Sequence, residues 1–377
     1  MLDNRRKVTF GIIMKNVCHL YHQTISVENL LVAWEEFIIT KKKRTDMRLF
    51  ARYLIENISA LHTDLSNFTY KHASYERFNI QDPKQRIIHK ASVRDRLLHH
   101  AIYRILYPIF DKSFIYDSYS CRLNKGTHKA VERLEQFNRK VSKNYTGPCY
   151  ALKCDVKKFF DSVNHQILLD LIRRKVPDSD TLWLIETIIN SFNKSFVQLG
   201  LFGDFSRERE RERETTAFSC GIPIGNLTSQ LFANVYLNEF DQFVKHKLRI
   251  KFYLRYCDDF VILSDNRDEL EKLISLTAEF LENKLKLRLH PNKIIIRKLK
   301  EGIDFLGYVV LPHYKVLRTK TKKRMLKKIN EINKTSYFGL IKHCNSYGLR
   351  IELEARLAQG SPDKNIRGLT GMPNIFI

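Results

Sequence analysis

The chain has 377 residues, 44% of them hydrophobic, with 65 Lys+Arg against 41 Asp+Glu and a formal net charge of +24. That length supports two or three packed units, and a pI near 9.7 calls for a polyanionic partner, either nucleic acid or an anionic membrane. The apolar runs fall far short of the roughly 20 residues a bilayer span needs, and MLDNRRKVTFGIIMKNV holds only FGIIM before Lys15, too short for a signal-peptide core; the reading is therefore no membrane, a cytoplasmic protein, and nucleic acid as partner.

In chain order, periodicity predicts mostly helix over 26–62, then helices over 92–108 and 128–142. YALKCDVKKFF (150–160) reads as a strand ending in a turn, and HQILLDLIRRKV (165–176) as a helix. RERERERE (207–214) reads as an exposed insertion, because residues two apart on a helix do not face each other. LTSQLFANVYLNEFDQFVKHKL (227–248) reads as one long helix with Leu227, Leu231 and Val235 on a shared face. FYLRY and FVILS flank Cys257-Asp258 as a hairpin. A helix over 266–285 starts from an Asp/Asn cap, and KLRLH, KIIIRKL and FLGYVV supply short strands. Strand, helices, hairpin, helix, strand is the order of a ferredoxin-like layer. The segment 315–377 reads as helices and carries 14 Lys+Arg against 4 Asp+Glu. No repeat of solenoid length is present.

Seven cysteines stand at 18, 121, 149, 154, 220, 257 and 344 with no CxxC pair, so zinc and a disulfide framework are not expected, and a reducing compartment fits. His99-His100 reads as a polar helix face or a core histidine rather than a metal site.

Asp258 and Asp259 are the unusual feature, since two adjacent carboxylates interrupt an apolar stretch of a basic protein. An isolated DD is ordinarily a solvated turn. Here a hairpin holds it rigidly, and Asp155 ends a second apolar strand, KCDV. If Asp155 and Asp258 meet, their repulsion is relieved by a proton or by cations. Carboxylate oxygens suit Mg²⁺, which takes one or two acids plus substrate phosphates. Two such ions can activate a hydroxyl and stabilise a leaving pyrophosphate.

YCDD together with KCDVKKFFDSV resembles the palm of reverse transcriptases, and the resemblance runs from about Asn29 to about Tyr347. It implies an α/β (α+β) right-hand polymerase with fingers, a ferredoxin-like palm and a helical thumb. The expected partition is 1–147 for an N-terminal extension and fingers, 148–314 for the palm (with the helix 227–248 and an insert 200–218), and 315–377 for the thumb. It also implies Asp155, Asp258 and Asp259 as catalytic, with Val156 beside them as metal ligands for two Mg²⁺ ions. DPKQRIIHKASVRDRLLHHA (82–101) is similar to the fingers segment that meets the triphosphate, which would put Lys84 and Arg86 on phosphates. HPNK (290–293) is similar to the loop whose lysine, here Lys293, lies near the triphosphate. FLGY resembles the primer grip, with Phe305, Leu306 and Gly307. The basic tail resembles the thumb, which would hold the template–primer duplex by its phosphates. Five residues after Asp155 stands Phe160, at a place where polymerases that make RNA commonly have a polar acid to accept the ribose 2′-OH; the resemblance implies that a ring there would exclude that hydroxyl and act as a steric gate for deoxynucleotides, with a core-packing Phe as the alternative.

GIPIGNLTSQLFANVYLNEFD (221–241) resembles the IGxxxSQ form of diversity-generating retroelement enzymes more than the Gln-Gly…Ser-Pro form of group II intron enzymes. This places Ile224, Gly225, Ser229 and Gln230 beside the nucleotide. SYSCRLNKGTHKAVERL (118–134) resembles the same group, with Leu123-Asn124 as a departure. The resemblance implies copying of a template-repeat RNA into cDNA, with errors opposite adenine, for mutagenic retrohoming. It implies as partners the RNA template, a DNA or RNA primer, deoxynucleoside triphosphates and a small basic accessory variability protein. Another bacterial reverse transcriptase (retron, defence-associated or group II intron type) is the alternative enzyme, and a non-catalytic RNA-binding scaffold the alternative from a different class.

Overall fold

In the computed structural model the described residues are 19–81, 85–192 and 219–358. Lys84, the Arg-Glu repeat and insert 200–218, and residues 359–377 lie outside them. The chain divides into two compact units: residues up to Phe114 with Lys158–Phe240 and Leu281–Leu287, and Ile115–Lys157 with Asp241–Phe280 and the remainder from Arg288.

The first unit is helical. The predicted helical stretch 26–62 is three helices, Val27–Ile38, Thr45–Arg52 and Leu54–Ser66, because the cationic run Lys41–Arg44 has no apolar face to bury. Val93–Asp111 begins at Ser92, whose hydroxyl accepts from the Asp95 N–H, a standard N-cap arrangement. Its apolar stripe, including Leu97, Leu98, Ala101 and Ile102, is fully buried. Two strands that periodicity did not suggest, β1 (Glu76–Ile80) and β2 (Arg86–Lys90), pair antiparallel; they are short and mostly exposed, so they carry almost no apolar alternation. His99 is a core histidine: its Nδ1 bonds the Thr228 hydroxyl at 2.6 Å and its Nε2 faces His72 Nε2 at 3.2 Å.

The second unit is built on a four-stranded antiparallel sheet. β3 (Tyr150–Asp155), β4 (Tyr253–Tyr256), β5 (Asp259–Ser264) and β6 (Ile295–Lys298) lie in the order β4-β5-β3-β6. With helices before β4 and after β5, this is the ferredoxin-like βαββαβ arrangement. Directly opposed residues share a face, so Ala151, Leu254, Val261 and Leu263 form one apolar surface, covered by Ala130, Val131, Leu134 and Phe137 of helix Thr127–Val141 in one core cluster. A second sheet joins β7 (Ile303–Phe305), β8 (Tyr308–Val310) and β9 (Lys315–Leu317). Helices Thr319–Lys328, Lys334–Ile341 and Tyr347–Ala358 follow.

Two expected elements differ. The helix predicted over 227–248 is α-helical over Leu227–Gln242 and closes with a π-helical turn, Phe243–Lys247, where Phe243 stacks on Phe280 at 4.1 Å. KLRLH is not a strand. Helix Arg267–Leu285 ends with Lys286 in the left-handed region (φ 53°) and the Leu287 N–H on the Leu281 carbonyl, a helix-capping geometry. That leaves only a bridge between Val156 and Leu289. At the start of the same helix, the Asn266 side chain accepts from the Asp268 N–H, as its predicted cap requires.

Candidate active site

The carboxylates meet because of strand register. β3 and β5 pair so that Asp155 lies opposite Asp259, and β4 and β5 pair Tyr256 with Asp259. The two-residue turn Cys257-Asp258 closes that hairpin, with Cys257 left-handed at φ 55°. Asp258 is thus presented at the tip, beside Asp155. Burial, and then the neighbouring Asp155 carboxylate, push the Asp258 carboxyl above its usual range. Burial raises Asp259 to about 6; the Lys153 cation opposes this, while Asp258 and Asp155 reinforce it. Mutual repulsion of this kind is what a bound cation relieves.

The segment after helix Arg267–Leu285 closes the site from the other side. The Lys157 N–H donates to the Arg288 carbonyl and the His290 N–H to the Asp155 carbonyl. The 3₁₀ turn Pro291–Lys293 then brings Lys293 Nζ to 2.7 Å from Asp155 Oδ1. Among the described residues no group of three or more His, Cys, Asp or Glu side chains is arranged to hold a metal by itself. Mg²⁺ does not require one, because substrate phosphates and water complete its six oxygens. An all-oxygen set of two or three carboxylates, partly buried and mutually repelling, fits that ion. Val156 is fully buried and has only its main chain to offer.

Two residues of this site carry no motif signal of their own. Arg255 and Asp241 are fully buried and form a bidentate pair, Nε–Oδ1 2.8 Å and Nη2–Oδ2 2.6 Å. Burial by itself would lower the Arg255 pKa; Asp241 outweighs it and holds the guanidinium charged. Arg255 Nη1 donates to the Cys257 carbonyl and Nη2 to the Ser118 hydroxyl, and the Tyr253 hydroxyl donates to Asp241. The turn that carries Asp258 is therefore tied to a buried ion pair. The signal was an arginine inside the otherwise apolar FYLRY.

The expected nucleotide residues of the first unit gather around residues 221–225. The Ile222 N–H donates to the Phe160 carbonyl at 2.7 Å, and the Ile224 carbonyl accepts from the His89 N–H of β2. Arg86 starts that strand and is exposed. Gly225 has φ +114°, and a Cβ there would come within 3.0 Å of the Ile88 side chain. Phe159 is the buried member of its pair; Phe160 remains partly accessible. Ser229 is buried on helix Leu227–Gln242, and Gln230 is half-buried. Asn226, just before that helix, is buried with neither side-chain polar atom hydrogen-bonded among the described residues. In the second unit Phe305 is buried, and Leu306 and Gly307 form the β7–β8 turn at φ 50° and 89°.

A family model for reverse transcriptase (RNA-dependent DNA polymerase) matches residues 79–310. That is more than half of the chain, and the chain belongs to this family. It is 26% identical over 249 residues to Protein YkfC of Escherichia coli, covering 58% of the chain and 61% of that protein. It is 22% identical to the group II intron-encoded protein LtrA of Lactococcus lactis, covering 82% of the chain and 57% of LtrA. The chain thus spans about three fifths of the length of these relatives. Apo telomerase from Candida tropicalis, truncated from its C-terminal domain, superposes with a TM-score of 0.44 at 13% identity over 71% of this chain and 60% of that one. The mixed helix-and-sheet architecture is that of a right-hand polymerase.

Proposed function

We propose that this chain is an RNA-directed DNA polymerase that extends a primer on an RNA template from deoxynucleoside triphosphates. The observation that carries the reading is the meeting of Asp155, Asp258 and Asp259 on paired strands, with charges that repel and a lysine alongside. Asp155 and Asp258, with Asp259 and the Val156 main chain beside them, would hold two Mg²⁺ ions. When bound, these supply the Lewis acidity that activates the primer 3′-hydroxyl and offsets charge on the leaving pyrophosphate. The 3′-oxygen forms a bond to the α-phosphorus as the bond to the β-phosphate oxygen breaks, and the hydroxyl proton leaves to solvent. The side chains keep the carboxylates in place, Arg255 fixes the turn, and Lys293 is the cation we assign to the incoming triphosphate with Lys84 and Arg86. Phe160, partly accessible beside buried Phe159, is the steric gate. Phe305, Leu306 and Gly307 form the primer grip, within a partition into fingers, palm and thumb at about 147 and 314.

The finer reading is an enzyme of a diversity-generating retroelement, working with a small basic accessory protein. Ile224-Gly225-Asn226-Leu227-Thr228-Ser229-Gln230 supports it. An aliphatic Ile224 in place of an amide removes a hydrogen-bonding group near the nucleotide, and lost hydrogen bonding weakens discrimination. The relatedness to LtrA favours a second reading, a group II intron-type enzyme.

Primer extension on a mixed-base RNA template with Mg²⁺, followed by cDNA sequencing, tests both levels. Long cDNA with errors concentrated opposite adenine is the expected result, and Asp258→Ala should reduce extension by on the order of 10³-fold. Accurate cDNA would keep the polymerase and select the intron-type reading. Extension by Asp258→Ala at the wild-type rate would remove the catalytic assignment. With Phe160→Val, ribonucleotide use should rise; no change would mean that the ring is not a gate.

A further inference from the structure

A cavity of about 350 Å³ opens at the end of the main sheet opposite the carboxylates, entirely within the second unit. It lies beside Ser264, which pairs with Tyr150, five residues along β3 from the Asp155–Asp259 pair. At about 3.4 Å per residue this is roughly 17 Å away, so the cavity is separate from the catalytic carboxylates. Lys140, Lys143, Arg249 and Lys251 line it, with Asp265 and Glu269 on the same rim. All four cations are exposed. Among the described residues none of the four is in an ion pair, and Glu269 is engaged by the Ser264 hydroxyl at 2.5 Å.

The backbone beneath them is unusual. Lys143 (φ 49°) and Arg249 (φ 55°) are both left-handed, a region in which Gly or Asn is at ease and a long side chain is uncommon. These two turns thus project cations where the cheapest residue would be neutral. The floor is apolar, with Val141, Ile250, Phe252 and Leu273, and Phe252 packs edge-on against Phe137. Unpaired cations converging from two chain segments over an apolar floor suit a phosphodiester strand, whose charges meet the cations while a sugar or base face meets the floor.

We propose that this cavity is a second RNA-binding site, which holds the backbone of a single-stranded RNA segment away from the catalytic carboxylates. The choice of RNA among polyanions rests on the polymerase reading; the convergence of unpaired cations does not.

The test is equilibrium binding of a fluorescent oligoribonucleotide of mixed sequence, without nucleotides, over a range of salt. Two variants of the full chain are compared with the wild type: Lys140→Glu/Lys251→Glu, and Lys143→Asn/Arg249→Asn. The second removes two charges while giving the left-handed positions a residue that suits them, so it should fold at least as well as the wild type. Each should weaken binding by about tenfold near 0.1 M salt and reduce the slope of log K against log salt by about 1.4, at roughly 0.7 per lost phosphate contact. Binding is read without nucleotides or divalent metal, so a failure of catalysis does not enter the result. Unchanged affinity and slope in a folded Lys143→Asn/Arg249→Asn variant would overturn the proposal. So would displacement of the RNA by free triphosphate in the wild type that both variants abolish, since the cavity would then be a small-anion site.

Discussion

The two units bury polar groups in different ways. The first buries hydrogen-bonded neutral imidazoles, His99 between Thr228 and His72 and His165 between the Gly221 carbonyl and the Ser219 hydroxyl, and a carboxylate, Asp95, that the Tyr70 and Ser92 hydroxyls satisfy. Burial lowers the pKa of each imidazole, so neither carries charge at neutral pH. The second unit buries ion pairs and crowds carboxylates. Arg255 and Asp241 neutralise one another, and Asp117 is shared by Arg133 and Lys245, whereas Asp155, Asp258 and Asp259 crowd like charges together. A folded chain tolerates that crowding where an outside cation completes the set. The contrast therefore marks the crowded carboxylates of the second unit as the place for the proposed metal chemistry, in addition to the nucleotide residues expected in the first.

The largest effect that tests the contrast is at Arg255. Arg255→Met strands a buried Asp241 carboxylate and frees the Cys257 carbonyl. Loss of one partner of a buried pair costs about 3–5 kcal/mol, to be read from denaturant unfolding. Arg255→Met/Asp241→Leu should recover most of that stability while leaving polymerisation impaired, because the turn has lost its tether. A loss under about 1 kcal/mol in the single variant would mean that the pair does not hold the hairpin.

Arg255 also shows where reading the sequence stopped. The carboxylates were legible because strand periodicity puts Asp155 and Asp259 on apolar strands whose register is set by the buried faces. The ferredoxin-like order was legible from the same alternation, and the cap of helix Arg267–Leu285 from Asn266. The Arg255–Asp241 pair was not, since it joins residues on different elements and neither has a spacing rule. The β1–β2 hairpin was missed because its exposed strands show no alternation. KLRLH did alternate, but the left-handed cap at Lys286 consumed half of it. Local pattern identifies what a segment buries; it does not reveal a partner supplied by another element.

A middle-sized effect separates the units by pH. His100 of the first unit is lowered to about 4 by burial and by the Lys41 and Arg96 cations. The folded state resists protonating it, while the unfolded chain takes the proton near 6.5. Its contribution is intact above pH 6.5 and is lost as pH falls toward 4. Between pH 7 and pH 5 this amounts to about 2 kcal/mol, and His100→Gln should flatten that limb. Asp259 of the second unit has the opposite sign. Its folded pKa, about 6, lies above the unfolded value, so the cost of ionising it grows as pH rises from 4 to 6 and is constant above. Asp259→Asn should therefore stabilise the Mg²⁺-free protein at pH 8 by about 1–2 kcal/mol more than at pH 5. Equal shifts at both pH values would show that Asp259 ionises freely.

The smallest effect concerns a buried amide of the first unit. Asn226 is 2% exposed, and neither its Oδ1 nor its Nδ2 is bonded among the described residues, although it stands where a helix N-cap would bond the next turn. Leaving a buried amide unsatisfied costs about 1–3 kcal/mol. Asn226→Leu, with the same number and branching of side-chain heavy atoms and no polar ones, should raise stability by about 1 kcal/mol. If the amide serves only the fold, primer extension and cDNA fidelity should be unaltered. Asn226 lies between Gly225, whose positive φ lets the chain turn above Ile88, and the first turn of helix Leu227–Gln242. If the stabilised variant instead loses nucleotide affinity or changes its error spectrum, then the Asn226 amide is held unsatisfied for a ligand and joins the nucleotide residues proposed in that unit.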